Sequence, residues 1–315
     1  MKIVLLESLA VSDDYLGKYV GDLKAKGHAF EAFEKSADIA TQIEQVKDAD
    51  VIIIGNMPLS GEVIKSSKNL KFIDVAFTGV DHVDLEAAKE MGVAVSNASG
   101  YANQAVAELV LGKIFNLLRN ISKTETECRK GGTMAGLRGS ELRGKTVGII
   151  GYGAIGAKTA EMCNLLGCDI IAFDELKREN APDYVTYKSL EEVMSESDII
   201  SLHCPLLPST TNLINAERIA MMKPTAFLIN AARGPVVNSE ALADALNNNR
   251  IKGAGIDVFE TEPPLHIDHP LLHAKNTIVT PHIAFASDES MERRAEIVFN
   301  SLNSWLSGKQ INKII

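Results

Sequence analysis

The sequence predicts an α/β protein in which parallel strands alternate with helices in two successive parts of the chain. Three observations support this fold class. Short β-branched runs alternate with segments of helical periodicity, the alternation begins again at Thr146, and a polar, glycine-rich stretch separates the two parts. With 315 residues, 46% apolar and 23% charged, the chain is long enough to bury a core in each part. Disordered and fibrous classes are therefore excluded.

The first hundred residues predict a small open sheet of parallel strands. We expect strands at Lys2–Leu6, Ala29–Phe33, Asp50–Gly55, Phe72–Thr78 and Val93–Asn97. Helices are expected near Asp13–Lys26, Ile39–Lys47, Gly61–Ser67 and Leu85–Met91. Gly27 and Gly92 directly follow two of these helices, at the position where glycine commonly ends a helix.

A long amphipathic helix is expected to follow, since apolar residues recur at helical spacing between Asn103 and Leu118. The next 25 residues are polar and glycine-rich, which predicts a connection. The second alternation then predicts strands at Thr146–Gly151, Ile170–Asp174, Ile199–Cys204, Ala226–Ala231, Gly253–Val258 and Thr277–Thr280. Six such strands fit a doubly wound dinucleotide-binding sheet. A last helical segment, Glu289–Trp305, has apolar residues available for packing on the first part.

The charge and the cysteines narrow the class of protein. The formal charge of −9 comes from 32 basic and 41 acidic residues spread along the chain, which argues against nucleic acid or a membrane surface as a partner. No apolar stretch approaches the roughly 20 residues that span a bilayer, and Glu7 interrupts the first apolar run too early for a secretory signal. The cysteines form no C-x-x-C pair, so we expect reduced, buried thiols in a cytoplasmic protein; they are Cys128, Cys163, Cys168 and Cys204.

A glycine-rich loop follows the first strand of the second part. Gly151, Gly153 and Gly156 form the pattern G-x-G-x-x-G after the apolar run 147–150, and they open a helical segment that extends to Leu166. In this context the loop amides and the helix N-terminus are suited to hold the pyrophosphate of a dinucleotide. A purely structural tight turn is the alternative.

Asp174 stands eighteen residues after Gly156, at the end of the next predicted strand. A carboxylate at that position accepts hydrogen bonds from the hydroxyls of the adenine ribose and would repel a 2′-phosphate. This favours NAD over NADP. Lys177 and Arg178 lie nearby and argue in the opposite direction, unless they are ordinary solvated loop charges.

Charged side chains also follow the last three predicted strands, where open α/β sheets bind ligands. Arg233 could bind a carboxylate or polarise a carbonyl there, although a surface arginine is the alternative. His282 could transfer the proton that hydride transfer to or from a carbinol requires, although six other histidines compete on composition alone. One of the carboxylates in Asp257–Pro264 could pair with His282 and fix its tautomer.

Several separated motifs occur in a fixed order along the chain. They are Thr78–Asp84 (TGVDHVD), Asn103–Gly112, Leu142–Gly148 (LRGKTVG), the glycine loop, His203–Leu206 (HCPL) and the motif at His282. In this order they resemble the D-isomer-specific 2-hydroxyacid dehydrogenase family. The resemblance implies a Rossmann-type NAD-binding domain, residues 100–284, inserted in a flavodoxin-like substrate-binding domain formed by residues 1–99 and 285–315. Catalysis would take place in the cleft between the two lobes.

The resemblance also implies roles for individual residues. Arg233 would bind the substrate carboxylate and carbonyl, His282 would be the acid/base, and Glu262 would be its carboxylate partner. Asp257 would hold the nicotinamide carboxamide. The NAD-binding positions that it implies are Gly151, Gly153, Ala154, Ile155, Gly156, Asp174, His203, Cys204, Pro205, Thr210, Ala231, Ala232, Arg233, Asp257, His282 and Ala284. The substrate-binding positions that it implies are Met57, Thr78, Gly79, Val80, Arg233, His282 and Phe285.

The resemblance further implies a homodimer formed with the help of the helix near 103–118, and no metal. Met134 stands where many members carry a tryptophan in the connecting segment, so we expect this part of the dimer contact to differ from that of those members.

The motif Thr280–Ser287 resembles the glycerate dehydrogenase, or hydroxypyruvate reductase, branch, which tends to place an aromatic residue three positions after the histidine. Asn56–Ser60 contains no lysine or arginine, which disfavours a phosphorylated substrate. Glyoxylate is a further substrate candidate, and D-3-phosphoglycerate and D-lactate remain alternatives. Glu262 argues against the formate dehydrogenase branch, where a glutamine is common. An NAD-sensing scaffold of the corepressor type is the alternative from another class, since it shares the fold and the three catalytic residues.

Overall fold

The computed structural model describes residues 1–178 and 180–315 and divides the chain into two compact units. One unit consists of Met1–Ala102 and Ala286–Ile315, and the other consists of Asn103–Phe285. The second unit is therefore an insertion in the chain that forms the first.

The first unit contains a five-stranded parallel sheet. Its strands are β1 (Lys2–Leu5), β2 (Ala29–Ala32), β3 (Val51–Ile54), β4 (Phe72–Val75) and β5 (Ala94–Asn97), paired in the order β2-β1-β3-β4-β5. Its first four helices are α1 (Asp13–Ala25), α2 (Ile39–Val46), α3 (Gly61–Ser66) and α4 (Leu85–Glu90). Strands β3 and β4 are wholly buried, as is typical of a parallel sheet covered by helices. The strand order is that of flavodoxin-like sheets.

The second unit contains a seven-stranded parallel sheet. Its strands are β6 (Thr146–Ile150), β7 (Asp169–Phe173), β8 (Val185–Tyr187), β9 (Ile199–Leu202), β10 (Phe227–Asn230), β11 (Gly253–Ile256) and β12 (Thr277–Val279), in the order β12-β11-β10-β9-β6-β7-β8. Its helices are α5 (Asn103–Arg119), α6 (Ile121–Arg129), α7 (Ala154–Leu165), α8 (Leu190–Glu196), α9 (Ala216–Met221), α10 (Ser239–Asn247) and α11 (Pro270–His273). The direction of the strand order reverses beside β6, as in doubly wound dinucleotide-binding sheets. The fold class predicted from the sequence is confirmed.

The last helix, α12 (Asp288–Leu306), packs on β4 of the first unit. The rings of Phe72 on β4 and Trp305 on α12 stack with centroids 4.8 Å apart. Asp74, also on β4, is completely buried. Burial raises the pKa of Asp74 to about 8, while the Ser301 hydroxyl on α12 opposes the shift. This carboxyl group is therefore mostly protonated at neutral pH.

Three details differ from the sequence-based expectations. Strand β8 is a seventh strand at the edge of the sheet. Its middle residue is exposed, the other two are half-buried, and none belongs to a clear apolar pattern. Helix α6 occupies part of the expected connection. It buries none of its residues, and ion pairs such as Lys130–Glu127 link its exposed side chains, so it shows no apolar stripe. Cys128 lies on this helix and is exposed, so the expectation of a buried thiol is wrong there.

The other three cysteines are buried, and all four are free. In the part of the chain that the structure describes, we find no helix with both the length and the hydrophobicity needed to cross a membrane.

Candidate active site

The parallel strands of the second unit bring the candidate residues to one edge of its sheet. Because all paired strands run in the same direction, the segments that follow them emerge at the same edge. These segments carry the glycine loop, Asp174, His203, Arg233, Asp257, Glu262 and His282. Open α/β sheets bind ligands at this edge, next to the point where the strand order reverses.

The three glycines between β6 and α7 have different surroundings. Gly151 has φ +92° and packs against the loop that follows β9. An added Cβ at Gly151 would lie 2.4 Å from the Cys204 nitrogen. Gly156 packs against the Gly151 carbonyl oxygen, 2.1 Å from an added Cβ. By contrast, nothing lies within 4 Å of the Cβ position of Gly153, the N-cap residue of α7. The loop thus combines a tight turn and close helix packing with open space at the helix N-terminus.

Asp174 lies directly beside the first glycine turn. Its Oδ2 accepts a hydrogen bond of 2.6 Å from the Tyr152 amide, and its Oδ1 accepts one of 2.9 Å from the Leu176 amide. The Gly151 amide donates to the Phe173 carbonyl at the end of β7. These bonds fix the carboxylate, and each of its oxygens has capacity for a second hydrogen bond.

Two exposed cations lie beside the same turn. The Nζ of Lys177 is 5.7 Å from the centroid of the Tyr187 ring, and the Arg178 guanidinium is 5.9 Å from that of Tyr152. The two tyrosine rings pack edge to face, 5.8 Å apart. The adenine-ribose end of the predicted cofactor site therefore combines the negative charge of Asp174 with two positive charges held near aromatic rings.

The segment after β9 presents neutral groups beside Gly151. Burial lowers the pKa of His203 to about 3, so its ring is uncharged at neutral pH. Burial also raises the pKa of the Cys204 thiol to about 11. The Thr210 hydroxyl donates a 2.7 Å hydrogen bond to the Pro205 carbonyl and closes the turn.

Arg233 is held by the chain immediately after β10. The side-chain amide of Asn230 donates to the Arg233 carbonyl and accepts from the Ala232 amide, both at 3.0 Å. An Nη of Arg233 donates to the Ala232 carbonyl at 2.8 Å. Gly234 is in close contact with the Phe259 backbone, which an added Cβ would approach to 1.9 Å. This packing fixes the backbone position from which the Arg233 side chain extends.

Two carboxylates after β11 each contact a different histidine. Glu260 lies 2.9 Å from Nε2 of His269, whereas Nδ1 of His282 lies 2.8 and 2.9 Å from the two carboxylate oxygens of Glu262. Because a carboxylate only accepts hydrogen bonds, Nδ1 of His282 carries a proton and Nε2 is the nitrogen that exchanges one. The Phe285 ring packs edge to face on the His282 ring, with centroids 5.5 Å apart.

The backbone of the histidine loop is held by Asp257. His282 has φ +55°, and its amide donates to the Asp257 carbonyl at 2.7 Å. The Asp257 side chain is completely buried and accepts from the amides of Ile283 (3.1 Å) and Ala284 (2.8 Å) and from the Thr280 hydroxyl. The contact between Asp257 and the nicotinamide stays a prediction.

A residue that the sequence analysis did not single out, Lys113 on α5, reaches the same loop. Its Nζ donates to the Thr280 hydroxyl at 2.7 Å and to the Ile256 carbonyl at 3.1 Å. The side chain is 3% exposed. One signal in the sequence could have indicated this residue: a lysine stands within the apolar face of an amphipathic helix, next to Val110, Ile114 and Leu117.

In the first unit, buried Glu7 holds the segment after β3. Its Oε1 accepts from the amides of Gly55 and Met57 at 2.8 and 2.9 Å. Met57 is completely buried, whereas Asn56 is partly exposed. Lys35 donates to Oδ1 of Asn56 at 3.0 Å and lies 3.5 Å from Glu7. Asn56–Ser60 contains no cation of its own, but the fold brings one to it from a distant part of the chain.

The segment after β4 offers several hydrogen-bond donors. The Asn97 side-chain amide donates to the Thr78 carbonyl at 2.6 Å, which fixes the start of the turn. Within the described ranges 1–178 and 180–315, the buried Thr78 hydroxyl has no hydrogen-bond partner, and the amides of Gly79 and Val80 donate to no protein acceptor. A hydroxyl and two amides are suited to a carboxylate ligand.

Comparison with known proteins identifies the family. The model of the D-isomer specific 2-hydroxyacid dehydrogenase NAD-binding domain matches residues 111–284. The chain is 34% identical to the hydroxypyruvate reductase of Blautia hydrogenotrophica over all of this chain and 99% of that protein. The chain belongs to the D-isomer-specific 2-hydroxyacid dehydrogenase family.

Other members support the same conclusion for this dehydrogenase. The glycerate dehydrogenase of Methylorubrum extorquens is 36% identical over 92% of this chain and 93% of that protein. The solved structure of an acyclic imino acid reductase (Bsp5), in complex with NADPH and D-Arg, has a TM-score of 0.92 at 30% identity and covers both chains completely. The family resemblance inferred from the motifs is confirmed.

The dehydrogenase is thus an NAD-dependent oxidoreductase of 2-hydroxy acids, and its glycine loop fits the cofactor. The empty space at Gly153, where a Cβ would project, is what a pyrophosphate requires at the N-terminus of α7. Each carboxylate oxygen of Asp174, directly after β7, can accept a further hydrogen bond, as binding of ribose hydroxyls would require.

Proposed function

We propose that this dehydrogenase interconverts a small D-2-hydroxy acid and its 2-oxo acid, with glycerate and hydroxypyruvate as the preferred pair. The observation that carries the catalytic part of this proposal is the contact of both Glu262 oxygens with Nδ1 of His282. It gives the histidine a fixed tautomer and a fixed orientation of its ring.

Bound NADH supplies the hydride that is added to C2 of the 2-oxo acid. Protonated His282 donates the proton from Nε2 to the developing alkoxide, and Glu262 holds the ring in place through Nδ1. Arg233 binds the substrate carboxylate and stabilises the negative charge on the reacting oxygen. In the oxidising direction His282 accepts the hydroxyl proton.

We assign NAD binding to residues 100–284 and substrate binding to residues 1–99 and 285–315. In the first unit we assign substrate binding to Met57, to the Thr78 hydroxyl and to the amides of Gly79 and Val80. In the second unit we assign it to Arg233, His282 and Phe285. The unsatisfied donors of the 78–80 turn support this part of the proposal. Met57 is completely buried, so it contributes by supporting its neighbours rather than by surface contact.

The preference for hydroxypyruvate is tested with a panel of 2-oxo acids and NADH. We expect kcat/KM for hydroxypyruvate to exceed that for pyruvate and for 3-phosphohydroxypyruvate by about ten-fold or more, with glyoxylate between them. A preference for bulky aliphatic acids would contradict the proposal. Steady turnover also distinguishes an enzyme from an NAD-sensing scaffold, which would bind NADH without turning over any acid of the panel.

Lys35 supports a phosphorylated acid such as 3-phosphoglycerate as a second candidate substrate. Its side chain is 55% exposed, and its ammonium contacts Asn56. A desolvated phosphate needs a cation, but the charge of Lys35 is already balanced in part by Glu7. If the phosphorylated acid proves the better substrate, Lys35→Met should abolish that preference, whereas Lys65→Met, which removes a surface lysine paired with Glu90, should not.

We also propose a cytoplasmic homodimer. Phe115 on α5, Ile121 on α6 and Met134 in the following connection are exposed apolar residues close together in sequence, as a subunit contact requires. Free thiols are typical of a reducing compartment. Sedimentation equilibrium tests the dimer, and Met134→Glu should weaken it; a monomer at all concentrations would contradict the proposal.

A further inference from the structure

We propose that Lys113 is a positioning residue for the acid/base histidine: its buried ammonium, acting through Thr280 and Asp257, fixes the loop that carries His282. This inference rests on the proposed catalytic role of His282. It adds to the reaction a residue from α5, a helix that contributes none of the predicted catalytic positions.

The first step is the contact of Lys113 itself. Its Nζ donates to Oγ1 of Thr280 at 2.7 Å and to the carbonyl of Ile256, the last residue of β11, at 3.1 Å. The two acceptors belong to the ends of neighbouring strands, β11 and β12. The ammonium therefore links the two strand ends from which Asp257 and the histidine loop emerge.

The stem of Lys113 is packed as tightly as its head group. A Cβ at Gly255 would lie 3.1 Å from Cβ and 3.2 Å from Cδ of Lys113, so the glycine on β11 leaves room for the lysine to cross the sheet surface. With 3% of the side chain exposed, the ammonium has little freedom to turn toward solvent. Its direction is fixed by the packing of α5 on β11.

The second step passes through Thr280. Because its single hydroxyl proton is donated to Oδ1 of Asp257, the Thr280 oxygen accepts from Lys113 while it donates to the carboxylate. Such a chain of hydrogen bonds polarises the hydroxyl and strengthens both contacts. Thr280 thereby joins a buried cation to a completely buried anion.

The third step leads from Asp257 to the histidine. The Asp257 carboxylate accepts from the amides of Ile283 and Ala284, and its carbonyl accepts from the amide of His282. His282 has φ +55°, a conformation that costs a non-glycine residue energy and persists only where the surroundings impose it. The hydrogen bonds to Asp257 impose it here, and they bring Nδ1 of His282 to Glu262.

Electrostatics explains why a lysine serves this purpose. Burial lowers the pKa of Lys113 to about 8, and the nearby Asp257 carboxylate opposes that shift. The lysine is therefore mostly charged at neutral pH and compensates a carboxylate that has no contact with solvent. Removing one member of a buried pair leaves the other charge uncompensated. The carboxylate would then move toward water and take the bonded amides with it.

The experiment compares Lys113→Met and Thr280→Val with two controls. Thr280→Ser keeps the bridging hydroxyl, and Lys223→Met removes an ion pair with Asp198 in the same unit that does not contact the loop. For each full-length variant we measure kcat, KM for the best 2-oxo acid, Kd for NADH by fluorescence, and Tm. His282→Ala is measured in the same series as the reference for loss of the acid/base.

We expect Lys113→Met and Thr280→Val to lower kcat by roughly ten- to a hundred-fold, the effect of a misplaced reacting group, and to weaken NADH binding by a smaller factor, since the same loop carries predicted nicotinamide contacts. Thr280→Ser should restore kcat, and Lys223→Met should change Tm at most. A kcat for Lys113→Met and Thr280→Val near that of the unmodified enzyme would overturn the inference, as would equal losses in Thr280→Val and Thr280→Ser.

His282→Ala separates this inference from the proposal on which it rests. If His282→Ala keeps full activity, the proposed active site is wrong whatever the Lys113 variants do. If His282→Ala is inactive while the Lys113 and Thr280 variants are fully active, only the positioning role is wrong. Should Lys113→Met fail to fold, the comparison of valine and serine at position 280 decides the question.

Discussion

Glu262 contacts Nδ1 of His282 with both of its oxygens, and these contacts fix the tautomer and the orientation of the ring. In Glu262→Gln the shape of the side chain is kept. We expect kcat for reduction to fall by roughly ten-fold or more, because the glutamine amide can present either its oxygen or its NH2 group to Nδ1 and no longer fixes the tautomer. The measurement is kcat for reduction of the best 2-oxo acid at saturating NADH.

Glu260→Gln is the matched control, since Glu260 contacts His269 instead of His282. Its kcat should equal that of the unmodified enzyme. A kcat that is also unchanged in Glu262→Gln would remove Glu262 from the mechanism.

Asp174 opposes the two cations that lie beside the same glycine turn. Removing the carboxylate in Asp174→Ala takes away the acceptor for the ribose hydroxyls and leaves Lys177 and Arg178 to attract a 2′-phosphate. Hydrogen bonds to a charged group contribute about 1.5–3 kcal/mol, so the ratio of kcat/KM for NADH to that for NADPH should fall by roughly ten-fold or more. Asp169→Ala, at the opposite end of β7, should leave the ratio unchanged. Equal use of both cofactors by the unmodified enzyme would show that Asp174 does not discriminate.

At the scale of elements, the glycines of the loop between β6 and α7 differ in the space around them. We expect a binding role for Gly153 and structural roles for Gly151 and Gly156. An alanine at Gly153 meets no atom within 4 Å, whereas an alanine at Gly156 would lie 2.1 Å from the Gly151 carbonyl. Gly153→Ala should therefore weaken NADH binding, because the added methyl occupies the approach of the pyrophosphate, with little change in Tm. Gly156→Ala should lower Tm.

Fluorescence titration with NADH and thermal melting check both variants of the loop. The assignment of separate roles fails if Gly153→Ala binds NADH as tightly as the unmodified enzyme does. It also fails if Gly156→Ala keeps the same Tm.

The elements that the sequence predicts well are those with a strong local pattern. Strand β3 is a continuous apolar run and β6 and β9 are mostly apolar, and their observed bounds differ from the predicted ones by one or two residues at the ends. Strand β8 and helix α6 escape prediction because neither carries an apolar pattern: one is a short edge strand and the other is a polar helix.

The same reasoning explains which site residues are visible in the sequence. Asp174, Arg233 and His282 stand directly after strands, and parallel strands bring such positions to one edge. Lys35 contacts Asn56 and Lys113 contacts Thr280 across 21 and 167 positions of the chain. Local periodicity cannot predict contacts between residues so far apart along the chain, because these contacts depend on which elements pack together.

At the scale of the whole molecule, the buried Asp74 makes the stability of the first unit depend on pH. Its pKa is raised by burial to about 8 in the folded chain, above the ordinary value of 3.8 for an aspartate. As the pH rises from 4 to 8, the unfolded chain loses this proton while the folded chain keeps it, so the free energy of unfolding falls over that interval. Asp74→Asn cannot ionise and should be the more stable protein at pH 8, with a smaller difference at pH 5.

Urea unfolding at pH 5, 7 and 8 measures the effect. Asp48→Asn, which changes an exposed carboxylate of the same unit, should show the same pH dependence as the unmodified protein. If Asp74→Asn shows that dependence as well, the buried carboxyl group does not titrate as described.

The insertion of the second unit sets the order in which the ribosome completes the molecule. Residues 1–102 emerge first, but α12, which covers β4, follows only after residues 103–285 have been synthesised. At the usual speed of translation this delay lasts about 10 to 40 s. Throughout it, Phe72 lacks its stacking partner Trp305 and Asp74 is exposed on a half-covered sheet, where it is ionised. Docking of α12 on β4 therefore requires that Asp74 take up a proton, so folding of the first unit ends with a protonation step.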